Sequence, residues 1–118
     1  MNIDLLSAPE STLPLAERVA AELGLSTQHS RLFLEVAFEN AKLFDKKQND
    51  YGPRNILAFG TFGIVVRMND KFERLKSLLV PKSKRKKPQN ESIMDTYRDI
   101  ANYASIAIMV ETNRWPEK

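Results

Sequence analysis

Apolar residues recur at three- and four-residue spacing along most of the chain, and no stretch shows the sustained alternation of a half-buried strand, so the sequence predicts an all-α protein. Four helices are expected. The first covers 12–23, with Thr12 placed to cap it, Pro14 tolerated in the first turn, and Gly24 supplying a left-handed stop. Its apolar stripe is Leu13, Ala16, Val19, Ala20 and Leu23. The second covers 28–47, opens after Ser26 or Thr27, and carries Leu32, Phe33, Val36, Ala37, Leu43 and Phe44. It gives way to the turn Asn49-Asp50-Tyr51-Gly52-Pro53, where glycine permits unusual dihedrals and proline blocks continuation.

The third helix is expected over 55–80 and is apolar nearly all round in its first half, through Ile56, Leu57, Phe59, Phe62, Ile64, Val65, Val66 and Met68. Such a helix must be surrounded. Gly60 and Gly63 lie inside it, each costing about 1 kcal/mol against alanine, which calls for a packing or ligand-approach reason. A proline-bounded loop follows at 81–90, and a fourth helix at 91–113 has the core face Ile93, Tyr97, Ile100, Ala104 and Ala107. The 118 residues suit one domain, so 1–118 reads as a single bundle-like unit of four helices.

Composition narrows the possible chemistry. There is no cysteine, which excludes disulfides, thiolate metal sites and a cysteine nucleophile. No run reaches the roughly 18 apolar residues of a membrane span, and the first residues lack the basic-then-apolar order of a signal peptide, so the expected location is cytoplasmic, with no membrane partner. The net charge is +3, yet five of the 18 basic residues, Lys82, Lys84, Arg85, Lys86 and Lys87, fall in one run. The remaining 13 face 15 acids, so the body is slightly acidic and a nucleic-acid partner is not expected. That run reads as a solvated connection, or as a flap that draws anions inward.

The fourth helix carries the most chemistry. Glu91, Asp95 and Asp99 recur every four residues opposite its core face, with Asn102 among them, and Ile106 and Met109 continue the same side. Stacked carboxylates repel, so a cation must compensate. Magnesium, which takes oxygen ligands, is one answer, with Asp70 of the third helix as a further ligand. The other is an ionic network with Arg67, Lys71 and Arg74, which share a face with Asp70. Glu35, Glu39, Lys42 and Lys46 read as a self-paired, solvated stripe, the lone His29 as a surface residue, and Trp115 as an anchor for the tail.

Three groups of residues resemble, in order and spacing, the pattern of nucleotide-modification-associated domain 1 proteins, small proteins common in bacteriophages. They are Lys47, Asp50, Tyr51 and Gly52; then Gly60, Gly63, Arg67, Asp70, Lys71 and Arg74; then Glu91, Asp95, Thr96, Asp99, Asn102 and Tyr103. The helical core of that family is similar to the MazG-type all-α nucleoside triphosphate pyrophosphatases, and the resemblance covers about 33–110. It implies a MazG-like, phage-type helical protein that assembles as a homodimer or larger oligomer and binds a nucleotide through Mg2+. In the enzymes a glutamate pair precedes the later acids, and here Arg67 and Asp70 stand in its place.

The activity this resemblance implies is Mg2+-dependent hydrolysis of a nucleoside or deoxynucleoside triphosphate to monophosphate and pyrophosphate. Asp70, Glu91, Asp95 and Asp99 are expected to hold the metal, with Asp95 and Asp99 as catalytic carboxylates. Lys47, Arg67, Lys71 and Arg74 would grip phosphate, and Tyr51, Gly52, Asn55 and Asn102 would complete the nucleotide site. The replacement of one acid by Arg67 favours an alternative, a noncatalytic nucleotide-binding or sequestering protein. A helical interaction protein held by a structural ionic network is the third reading.

Overall fold

Helix ends show most directly how this sequence sets its structure. The computed structural model describes residues 8–51 and 60–116. Among these residues there are four α-helices and no strand: α1 (Ala8–Leu23), α2 (Gln28–Tyr51), α3 (Gly60–Leu78) and α4 (Lys87–Glu111), with a 3-10 turn at Lys82–Lys84 between the last two. The all-α class predicted from periodicity is what the chain adopts.

Gly24 ends α1 in the left-handed region at φ +74°, and the Leu25 N–H reaches back to the Ala20 carbonyl at 2.9 Å, the bond that satisfies an orphan carbonyl at a helix end. Thr27 opens α2: its Oγ1 accepts from the Ser30 N–H at 3.0 Å, and its carbonyl accepts from the Arg31 N–H. At the far end of α4, Asn113 takes the left-handed role with φ 59°, while the Arg114 N–H donates to the Met109 carbonyl at 2.6 Å.

Several boundaries differ from expectation. α1 starts at Ala8, so Pro14 lies inside the helix, and Thr12 is a buried residue of the helix instead of its cap. The expected start of the third helix at 55 falls outside the described residues. Gly60 is the first residue of α3 and has φ +59°, a left-handed backbone conformation that glycine adopts without steric cost; among the described residues nothing lies within 4 Å of where a Cβ would stand. α4 starts at Lys87 and not at 91, because Pro88 occupies the first turn, where its missing N–H costs nothing. α2, in turn, runs on to Tyr51.

The chain divides into two compact units, Met1–Asp45 and Lys46–Lys118. In the first, Thr12, Ala16 and Ala20 form a buried line on one side of α1, while Leu13 and Leu23 are exposed. Leu32, Phe33 and Val36, from the apolar series of α2, are also exposed.

In the second unit α3 and α4 pack as an antiparallel helical hairpin. Thr61 donates to the Glu111 carboxylate at 2.6 Å at one end, and Gln89 donates to the Leu78 carbonyl at 2.7 Å at the other. Ile64 and Leu75 of α3, with Ile93, Thr96 and Ile106 of α4, are its buried residues. The buried face of α4 keeps the expected Ile93 but is turned beyond it: Thr96 is inside and Tyr97 is exposed. The Thr96 hydroxyl is satisfied within the helix, donating to the Ser92 carbonyl at 2.7 Å, so threonine enters the core without an unpaired polar atom. Phe62, Val65, Val66 and Phe72 leave one side of α3 exposed within the single chain, while Ile56, Leu57 and Phe59 of the helix expected to be surrounded lie outside the described residues.

Replacing Thr27 removes the acceptor for the Ser30 N–H. Thr27→Ala should destabilise the chain by about 1 kcal/mol, read as a lower urea midpoint with unchanged slope, whereas Thr27→Ser should leave it unchanged.

Candidate functional site

The turn of α4 that brings Thr96 inward also carries Asp99 to the packed side, because residues three apart share a helix face. Its side chain keeps only 15% of its exposure. A carboxylate drawn this far from water needs opposite charge, and two lysines supply it. Lys47, near the end of α2, lies 2.6 Å from Oδ1, and Lys71 of α3 lies 3.0 Å from Oδ2. One carboxylate thus joins α3, α4 and the end of α2 that lies in the second unit, each oxygen taking one ammonium.

Lys71 reaches Asp99 because it shares a face of α3 with the buried Ile64 and Leu75, so its stem packs while its head meets the acid. Lys47 is the more exposed partner, at 44%. Burial pushes the Asp99 carboxyl up, but hydrogen bonds and charge from Lys47 and Lys71 outweigh it and hold the group below the ordinary aspartate value of 3.8. The trio carries a net charge of +1, which makes it receptive to anions.

The other residues expected in the site are distributed around this trio. Arg67 is half-buried on the same side of α3 and is engaged in an interaction of its own, as is the half-buried Asn102 of α4. Arg74 is exposed, and it is not paired with Asp70, which is also exposed. Glu91 and Asp95 are exposed as well, since the rotation that turns Asp99 inward turns them outward. Among the described residues no three acids or histidines gather in a group that could hold a metal ion. Gly52 and Asn55 lie outside the described residues, as does the side chain of Tyr51.

Spacing on α4 could not single out Asp99 from the three acids. The signal that does so is the short, hydroxyl-satisfied Thr96 three residues before it, which lets this face approach α3. Nor could sequence alone pair Asp99 with Lys47, from which it is 52 residues distant. Compared with protein-family models, curated proteins and solved structures, the chain matches none.

The lowered Asp99 value fixes the sign of a pH effect. A group whose folded pKa lies below its unfolded value stabilises the fold above the unfolded value, and this contribution is lost as pH falls through the folded value. Stability should therefore fall on acidification below about pH 4, and Asp99→Asn should flatten that part of the profile. At neutral pH the same variant, which leaves two ammoniums without their carboxylate, should lose about 1–2 kcal/mol. Urea titrations at several pH values check both; parallel wild-type and variant profiles would exclude this role.

Proposed function

We propose that the chain is a nucleotide-binding protein that grips phosphate with Lys47 and Lys71, both oriented by Asp99. The observation that carries this reading is the attachment of two ammoniums from different helices to opposite oxygens of one part-buried carboxylate. Each ammonium has three donors and uses one on Asp99, so each keeps N–H groups for an incoming phosphate. Because Asp99 already holds the lysine heads, less side-chain freedom is lost when the anion arrives. Arg67 and Arg74 extend the cationic side of α3, Tyr51, Gly52 and Asn55 are assigned by position to the base or sugar, and Asn102 completes the nucleotide site.

The state of the carboxylates favours binding over hydrolysis. Both Asp99 oxygens hold an ammonium whose charge opposes a metal ion there, while Asp70, Glu91 and Asp95 are exposed and do not gather with Asp99 into a set of three. Magnesium enters this reading as the counter-ion that a nucleotide carries, not as a resident ion. The pyrophosphohydrolase reading rests on the four-residue spacing of the acids and on the resemblance to MazG-type enzymes, and product analysis separates it.

A nucleotide panel with and without magnesium tests the proposal by thermal shift. The right ligand at about 100 times its dissociation constant should add about 2.7 kcal/mol of stability. Lys71→Ala should lower affinity at least tenfold. No shift with any nucleotide, or an unchanged affinity in Lys71→Ala, would reject it and leave the trio as a structural network. Release of monophosphate and pyrophosphate would establish the enzyme instead.

The same reading includes a homodimer. The exposed Phe62, Val65, Val66 and Phe72 of α3 are apolar surface of the kind that self-association removes from water. Sedimentation velocity should give twice the chain mass, and Phe62→Glu with Val66→Glu should give the monomer. A wild-type monomer at 100 μM or above would refute this part.

A further inference from the structure

The segment 79–87 forms the tip of the α3–α4 hairpin and combines two features. Lys82, Lys84, Lys86 and Lys87 are exposed, and among the described residues no acid pairs with any of them. Directly before them, Leu79 and Val80 are exposed at 43% and 37%. The fifth cation, Arg85, is turned back onto the backbone, where it donates to the Val80 carbonyl at 3.2 Å and reaches Asn90 Oδ1 at 3.5 Å. Together with the 3-10 turn, in which the Lys84 N–H donates to the Pro81 carbonyl at 2.8 Å, it shapes the tip and leaves the four lysines to solvent.

This tip is separate from the Asp99 trio. Lys87 and Asp99 are twelve residues apart on one helix, or about 18 Å along its axis, farther than one nucleotide's phosphates reach. A different anion must answer the lysines. Four cations concentrated at a tip, next to two aliphatic side chains, fit a flat surface that is both anionic and apolar beneath. A nucleic-acid backbone matches less well, because it has no use for Leu79 and Val80, and residues 79–96 contain no aromatic side chain on which a base could stack.

We infer that the 79–87 tip is a docking site for membranes rich in anionic phospholipid, with Lys82, Lys84, Lys86 and Lys87 meeting the headgroups and Leu79 and Val80 entering the interface. Among the described residues no helix is long and apolar enough to cross a membrane, so the attachment is peripheral and reversible. Its electrostatic part weakens with salt, since exposed charges are screened over about 10 Å at 0.1 M ionic strength.

Cosedimentation of the full chain with vesicles tests this, using phosphatidylcholine alone and phosphatidylcholine with one-third phosphatidylserine. Binding is expected only to the second, and should be lost at 0.5 M NaCl. Each Lys→Gln change at the four positions should weaken it about fivefold, and all four together by more than a hundredfold. Leu79→Ser with Val80→Ser should weaken it further at constant charge, while Asp99→Asn should not. Circular dichroism melts of the loop variants should match wild type, because these side chains are exposed. Equal binding to both vesicles, undiminished binding by the quadruple lysine variant, or tighter lysine-dependent binding to a 20-base-pair duplex than to the anionic vesicles would overturn the proposal.

Discussion

A charge removed from water must be met by opposite charge, and the second unit of this protein is arranged around one such case. Asp99 lies on the packed side of α4, and its two oxygens are claimed by ammoniums from α2 and α3. Remove either lysine and the carboxylate keeps one partner; remove the carboxylate and two like charges remain near a packed face. The hairpin of α3 and α4 has its own apolar contacts and end bonds, and the trio ties the end of α2 to them. Its position decides which acids of α4 are inside and which are left to solvent.

The helical class is legible in the sequence because a 3.6-residue period is written redundantly into each segment. The helix faces are less legible. On α4 a hydropathy reading prefers Tyr97 to Thr96 as a core residue, yet threonine is small and can spend its hydroxyl on the carbonyl one turn back. That local bond makes it apolar in effect, and the buried face, which keeps the expected Ile93, takes in Thr96 instead of Tyr97. All three members of the trio are candidates from sequence, but as parts of a larger and differently composed site. Identity and spacing mark which residues can carry charge, whereas which of them meet depends on helix rotation and on contacts across 52 residues.

Helix ends follow the same division. Gly24 is legible, since a left-handed stop is a local property. Pro88 is ambiguous from sequence and looks like part of the loop, because proline both breaks helices and begins them, and only the backbone before it decides between the two. Gly60 suggests a packing residue when placed inside a longer helix, and at the start of α3 it is a conformational one.

The unequal exposure of the two lysines has a consequence for the response to salt. Lys47 keeps 44% of its exposure and Lys71 30%. Dissolved ions screen exposed charges more than part-buried ones, so the contact at Oδ1 is screened more than the contact at Oδ2. As ionic strength rises, the tie from α2 is weakened before the tie from α3.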